Sequence, residues 1–185
     1  MSRTQENLMR AFTGESIARN KYTFYAQKAR AEGYEFVARI FEETSDNERA
    51  HAERLYQFIK GWVETMNAYN IHENATTLEN LQAAAEGEKY EWSSMYPEFE
   101  KQAHEDGDND IADVFKEISE VEEQHEGRYV ALAAHIKNNT LYKSDKETEW
   151  KCENCGYVHH GTEAPEKCPA CGKPRGWYGR RARNY

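Results

Sequence analysis

Branched aliphatic residues and phenylalanine are scarce: Leu, Ile, Val and Phe together fill 26 of 185 positions. With a formal net charge of -9, such a composition ordinarily marks a chain that cannot bury enough apolar surface to fold. Proline is absent before Pro97, so no ring interrupts a helix in the first half of the chain. No run of eighteen apolar residues occurs, and the start MSRTQENLMR has no apolar stretch of the signal-peptide kind. The expectation is therefore a cytoplasmic protein that neither spans a membrane nor is exported. Only four cysteines occur, all between 152 and 171. In a reducing compartment, closely paired cysteines favour metal ligation over disulfides. Basic residues are also short in residues 1–144, where 16 Lys+Arg face 27 Asp+Glu, a net of -11 that would repel nucleic acid. Residues 145–185 hold 8 against 6, a net of +2, and the terminal Gly179-Arg180-Arg181-Ala182-Arg183 reads as a solvated end.

Twenty-one Ala, twelve Tyr and four Trp supply the missing apolar bulk, and their spacing points to a packed fold. The first 140 residues read as four long helical patterns. The first carries Leu8, Phe12, Tyr22, Ala26 and Ala29 and stops near Gly33; the second carries Val37, Ile40, Phe41, Thr44, Ala52, Leu55 and Ile59 and ends around Gly61. A third begins after Thr77 and carries Leu78, Leu81, Ala85, Trp92, Met95 and Phe99 before Gly107, and the fourth carries Ile111, Phe115, Ile118, Tyr129, Leu132 and Ile136. Short breaks near Gly33 and Gly107 predict two antiparallel hairpins. A helix of about 28 residues spans roughly 42 Å, so the stretch from Trp62 to Thr77 is needed to cross from one end of a bundle to the other. One long crossover defines the ferritin-like arrangement. Pro97 should kink the third helix or sit at a local bulge.

Each stripe has a gap where an apolar residue is expected, filled by an acid or a histidine: Glu15, then Glu48 and His51, then Glu88 and Glu91, then Glu122 and His125. Buried carboxylates demand compensating positive charge, and no Lys or Arg lies in register to supply it. Metal ions are the simplest answer. One Glu from each of two helices plus Glu-x-x-His from each of the other two is the ligand pattern of di-iron carboxylate bundles. Glu15 precedes Glu48 by 33 residues and Glu88 precedes Glu122 by 34, so the halves look duplicated. Gly14-Glu15 answers Gly87-Glu88, and Ala38-Arg39-Ile40-Phe41 answers Ala112-Asp113-Val114-Phe115.

Four glutamates and two neutral imidazoles balance two divalent cations, and this donor set suits iron or manganese. Glu91, whose counterpart in the first half is Ala18, adds a fifth carboxylate. An anionic Glu91 would compete best for the oxidised centre, which carries more positive charge, and would there displace the neutral His51. Tyr22 and Tyr96 stand close enough in sequence to Glu15 and Glu91 to serve as hydrogen-bond donors near the metals. His72, His104, His135, His159 and His160 read as surface or packing residues.

The C-terminal segment contains Cys152-Glu153-Asn154-Cys155-Gly156 and Cys168-Pro169-Ala170-Cys171-Gly172, two knuckles separated by twelve residues. Four thiolates in tetrahedral geometry suit zinc or a single iron, and spacing alone does not choose between them. Some forty residues cannot bury much, so the metal must hold the module together. The expected division is a bundle over 1–145 and a cysteine module over 146–185.

Taken together, Gly14-Glu15-Ser16-x-Ala18-Arg19-Asn20-x-Tyr22, Glu48-x-x-His51-Ala52, Gly87-Glu88-x-x-Glu91 with Met95-Tyr96-Pro97, Glu122-x-x-His125 and the two knuckles resemble the rubrerythrins over nearly the whole chain. The resemblance implies a ferritin-like di-iron domain followed by a rubredoxin-like iron domain. It implies reduction of hydrogen peroxide to water in oxidative-stress defence, with Glu91 and His51 exchanging at the metals and Tyr22 and Tyr96 assisting. It also implies metal ligation by Glu15, Glu48, His51, Glu88, Glu91, Glu122, His125, Cys152, Cys155, Cys168 and Cys171. Electrons would come from a donor such as rubredoxin or an NAD(P)H-dependent reductase, in a head-to-tail homodimer or higher oligomer. The competing readings are iron oxidation and storage, or oxygen reduction, with zinc in a structural cysteine site.

Overall fold

The structure, a computed structural model, describes residues 2–64 and 75–183. Five helical segments form the bundle: α1 (Arg3–Ala31), α2 (Glu35–Tyr56), α3 (Thr77–Tyr90), α4 (Tyr96–Asp106) and α5 (Asn109–Lys137). Between α3 and α4 the chain does not leave the helical path. Glu91–Met95 form a π-helical turn, closed by the Tyr96 N–H donating to the Glu91 carbonyl. The third expected helix is therefore α3, the π turn and α4 in series, with Pro97 just past the bulge. Pro97 has no N–H for the Trp92 carbonyl, and the Ser119 hydroxyl of α5 donates to that oxygen at 3.1 Å instead.

Local chemistry starts the helices. The Ser2 hydroxyl accepts from the Gln5 N–H, and Thr76 and Glu79 form a reciprocal capping box before α3. The Thr4 N–H and hydroxyl both donate to Asp106, the Asn7 amide donates to Gln102, and the Thr77 N–H donates to Glu32. These bonds run α1 antiparallel to α3 and α4. The chain thus leaves α2 at the end where Leu8 and Leu55 pack, and enters α3 at the opposite end, beside Glu32. The expected crossover from Trp62 to Thr77 falls largely on residues 65–74, which lie outside the described residues.

Apolar packing is split in two. One cluster gathers Tyr22, Tyr25, Phe41, Leu81 and Tyr129, and the other gathers Leu8, Leu55, Tyr96, Phe99, Ile111 and Phe115. Each fully buried Leu or Phe contributes about 1.5–3 kcal/mol. Between the clusters lies a layer of buried Glu15, Glu48, Glu88, Glu122 and His125. The low content of aliphatic residues thus reflects a core whose middle is given to charge.

After α5, three antiparallel strands follow in the order β2-β1-β3: β1 (Lys143–Cys152), β2 (Val158–Glu163) and β3 (Tyr178–Arg180). Trp150 on β1 faces His159 on β2 and Arg180 on β3, and with Tyr178, Cys152, Cys168 and Ala164 it forms a third small core. This sheet docks on the turn between α1 and α2. Gly176 abuts the Gly33 carbonyl, Gly179 abuts the Phe36 ring, and the Arg39 guanidinium lies 5.0 Å from the centroid of the Trp177 ring.

Candidate metal centres

Four helical strands of the bundle each bring one turn of acid to the same level. Glu15, Glu48, His51 and Glu122 place ligand atoms within 4.8 Å of one another, and Glu48, Glu88, Glu122 and His125 do the same. Glu48 and Glu122 belong to both groups, so the two groups interlock. His51 Nδ1 lies 2.9 Å from Glu122, 3.0 Å from Glu48 and 3.6 Å from Glu15, while His125 Nδ1 lies 2.6 Å from Glu122 and 3.3 Å from Glu48. Despite these approaches, both oxygens of Glu48 and Glu122, the Glu15 Oε2 and both Nδ1 atoms are buried without a hydrogen-bond partner. Buried polar atoms are rarely left so, and donor atoms that converge in this way mark the place of a cation. Carboxylate and imidazole donors in this number fit a pair of irons.

The tyrosines bind across the halves. The Tyr22 hydroxyl of α1 donates to Glu88 of α3, and the Tyr96 hydroxyl of α4 donates to Glu15 of α1. Each takes the Oε1 of its glutamate, and on Glu15 the other oxygen is left free for a metal. Tyr22 lies seven residues after Glu15, but Tyr96 lies eight after Glu88, and the π turn accommodates the extra residue.

Glu91, in the π turn, stands one turn beyond Glu88 and outside both ligand groups. Burial and the charges of Glu122 and Glu48 push its carboxyl up to about 8, against the pull of the Lys21 ammonium. One cation lies near this side of the cluster. Lys21 Nζ lies 5.1 Å from the Tyr22 ring centroid and 3.7 Å from where a Cβ on Gly87 would stand. Sequence reasoning missed it by seeking cations only within the inward stripes. The adjacent Tyr22 and the facing Gly87 were the available signals.

Burial, reinforced by neighbouring carboxylates, also raises Glu15 and Glu88 well above the usual range. Burial opposes the charge on Glu48 too, yet His125 and His51 hold it down at about 2. For His125 burial works against the imidazolium, but Glu122 and Glu48 raise it to about 9. In the metal-free protein burial thus favours the protonated forms of Glu15 and Glu88, and His125 is raised to about 9, so ligation must expel protons. Loading ferrous iron at pH 7 is expected to release protons, with affinity rising up to about pH 9 as His125 deprotonates. Calorimetry in buffers of different ionisation enthalpy measures this directly, and release of no protons would contradict the assignment.

In the cysteine module, Cys152 and Cys171 Sγ atoms lie 3.7 Å apart, as do those of Cys155 and Cys168, and all four fall within 4.8 Å of one another. Metal–sulfur bonds of about 2.3 Å in a tetrahedron give edges of about 3.8 Å, so the cage already has the right size. The knuckles repeat: the Gly156 N–H donates to the Cys152 carbonyl and the Gly172 N–H to the Cys168 carbonyl, at φ of 78° and 75°. Only glycine takes that conformation without strain. Burial disfavours the Cys168 thiolate, but the Tyr178 hydroxyl beside it and the amides of Cys171 and Ala170 bring it to about 6.

Paired metals held by carboxylates and imidazoles inside a four-helix bundle, with a separate four-thiolate cage on the same chain, define a ferritin-like di-iron protein carrying its own rubredoxin-like domain. The chain belongs to the rubrerythrin family. Residues 6–133 match the family described as Rubrerythrin and residues 150–178 that described as Rubrerythrin, rubredoxin-like domain. It is 43% identical to the rubrerythrin of Porphyromonas gingivalis, over 100% of this chain and 92% of that one. To the rubrerythrin of Nitratidesulfovibrio vulgaris it is 45% identical, over 94% and 92%. A solved mixed-valence structure of nigerythrin superposes with a TM-score of 0.66 at 35% identity, covering 98% of this chain and 87% of that chain. A Desulfovibrio desulfuricans bacterioferritin, whose di-iron site was captured in different catalytic states, superposes at 0.68 with 25% identity, over 74% and 81%. These homologues imply an iron-dependent oxidoreductase. Among the described residues no helix is long and apolar enough to cross a membrane.

Proposed function

We propose that the protein is a hydrogen peroxide reductase in which the bundle cleaves peroxide and the cysteine module delivers electrons. The observation that carries this reading is the pairing of two interlocked Glu/His groups with a four-thiolate cage on one chain. In the bundle, Glu15, Glu48, His51, Glu88, Glu91, Glu122 and His125 serve as metal ligands, and Cys152, Cys155, Cys168 and Cys171 hold the single iron. When bound, the iron pair supplies two electrons, the number that splits one oxygen–oxygen bond without releasing a radical, and the cysteine-held iron relays replacements.

The remaining work falls to the protein. Glu48 and Glu122, shared between the groups, fix the two metal positions side by side. The Tyr22 and Tyr96 hydroxyls pin Glu88 and Glu15 and so keep their free oxygens aimed inward. Conversion of peroxide to two waters consumes two protons, and Glu91, half-buried with a carboxyl near 8, can hold one at neutral pH. As the ligand that joins the oxidised centre in place of His51, Glu91 also tunes the potential. Replacing it with Ala is expected to raise the reduction potential of the iron pair, and an unchanged potential in a redox titration removes that role. The domains divide at 1–145 and 146–185. The protein is cytoplasmic, assembles as a head-to-tail homodimer or higher oligomer, and draws on rubredoxin or an NAD(P)H-dependent reductase.

The test is anaerobic: the iron-loaded protein is fully reduced, given one equivalent of peroxide and followed by its thiolate-to-iron absorption. Rapid return of the red colour supports the peroxidase. A protein that stays colourless, or that reoxidises slowly and equally with oxygen, points to iron storage or oxygen reduction and overturns it.

A further inference from the structure

The two halves of the bundle share one hydrogen bond beside the metal layer. Counted from Glu15 and Glu88, Ala18 answers Glu91 and Arg19 answers Trp92; counted from Glu48 and Glu122, Ser45 answers Ser119 and Ala52 answers Glu126. In the first half the Ser45 hydroxyl of α2 donates to the Arg19 carbonyl of α1 at 2.8 Å. In the second the Ser119 hydroxyl of α5 donates to the Trp92 carbonyl of the π turn at 3.1 Å. The same serine ties the same carbonyl in both hairpins, so this bond belongs to their common frame.

The second half adds a bond with no counterpart in the first. The Trp92 indole N–H donates to the Glu126 carboxylate at 2.6 Å, whereas Ala52 offers the matching Arg19 no side-chain acceptor. An indole N–H can only donate, and a carboxylate oxygen at this distance is a strong acceptor for it. Both side chains are half-buried, which shields the bond from competing water. Residue 92 is therefore gripped twice by α5, at its carbonyl by Ser119 and at its ring by Glu126. These two residues stand three before and four after Glu122, so the grip brackets the level of the metal layer. The π turn itself closes through the Tyr96 N–H donating to the Glu91 carbonyl, and with Pro97 unable to donate, partners outside the helix fix its register.

Three departures from symmetry thus fall together: the extra carboxylate of Glu91, the indole next to it in the chain and the acid that holds the indole. We propose that Trp92 and Glu126 are positioning residues that lock the backbone of the π turn to α5, so that Glu91 changes its place at the metals by rotating its side chain while its main chain stays fixed. This rests on the reading of Glu91 as a ligand of the oxidised centre. Neither Trp92 nor Glu126 belongs to the two ligand groups, and both act through Glu91. With the clamp in place the carboxylate is presented at a fixed height beside Glu122. Without it the turn shifts along the helix, and Glu91 joins the oxidised pair less often.

Two measurements on the full chain test the clamp without reference to turnover. In the metal-free protein, Trp92→Phe keeps a ring but removes the donor, and the Tyr96 amide, whose bond closes the π turn, is expected to exchange with deuterium about tenfold faster. Glu126→Ala should match it, while Glu126→Gln, which keeps an acceptor oxygen, should exchange near the parent's rate. In the iron-loaded protein, Trp92→Phe should raise the ferrous-to-ferric ratio of the bundle irons about tenfold at a fixed potential, about 30 mV for a two-electron couple, in the same direction as Glu91→Ala. In a Glu91→Ala background it should shift nothing, since the group it positions is gone. A shift of equal size in both backgrounds would show a general change in packing and overturn the proposal, as would parent-like exchange or an unchanged potential in Trp92→Phe. If Glu91→Ala alone leaves the titration unchanged, the reading of Glu91 as a ligand fails and takes the proposal with it. A failure of the clamp alone shows instead as a normal Glu91→Ala shift with none from Trp92→Phe.

Discussion

Replacing Glu122 with Ala is expected to strip both irons from the bundle while the cysteine-held iron stays. Glu122 is fully buried, belongs to both ligand groups and lies 2.9 Å from His51 and 2.6 Å from His125. Glu48, the other residue common to both groups, already serves each of them. Loss of outer-shell partners alone typically costs 10–100-fold in metal affinity, and loss of a shared ligand costs at least about 100-fold at each position. The peroxide reduction proposed above should fall to background. The cage of Cys152, Cys155, Cys168 and Cys171 shares no residue with the bundle groups, so its colour should persist. Iron analysis alongside the visible spectrum checks both halves of the expectation, and a variant that retains its bundle iron contradicts the shared-ligand geometry.

The second large effect is expected at Gly176→Ala, far from either metal. A Cβ there would stand 1.7 Å from the Gly33 carbonyl oxygen and 2.9 Å from its carbon. Both are backbone atoms of a tight turn and cannot swing aside. Overpacking in an interior costs about 1–3 kcal/mol and sometimes more, and a clash with backbone falls at the upper end. The cysteine module should therefore keep its fold and metal but leave its seat on the α1–α2 turn. Proteolysis in the connecting residues 138–142 should accelerate by roughly 10–100-fold, the equivalent of that cost. Cleavage at the parent's rate would mean that the module does not rest on Gly33.

The helices and the buried acids were readable in the sequence because both follow the 3.6-residue period. Glu15, Glu48, His51, Glu88, Glu122 and His125 each interrupt an apolar stripe, and an interruption shared by four stripes is visible without coordinates. Pro97 announced a disturbance, but its form was not readable. The π turn begins six residues earlier, at Glu91, and its freed carbonyl is satisfied by Ser119 from another helix. Tyr22 and Tyr96 could be placed near the metals by counting turns, yet counting along one helix could not show that each would bond to the opposite half. Lys21 escaped for a related reason. Its long side chain lies over the Tyr22 ring and reaches Gly87 on another helix, and periodicity reports where a Cα points rather than where an ammonium ends. The seat of the cysteine module was hidden most completely, since it depends on Gly176 meeting Gly33 across more than a hundred residues of chain.

The bulge at Glu91–Met95 also governs the half of the bundle that lies beyond it. Each residue turns an α-helix by about 100°, so one additional residue rotates everything downstream by that angle unless the backbone absorbs it. Read without the wider turn, Tyr96, Phe99 and Ala103 would point away from Leu8, Leu55 and Phe115, and the lower core would open. Shortening this segment by one residue would thus do more than displace Glu91. It would force α4 to choose between its hydrophobic partners and its tyrosine's bond to Glu15, so the metal layer and the lower core are kept in phase by a single inserted residue.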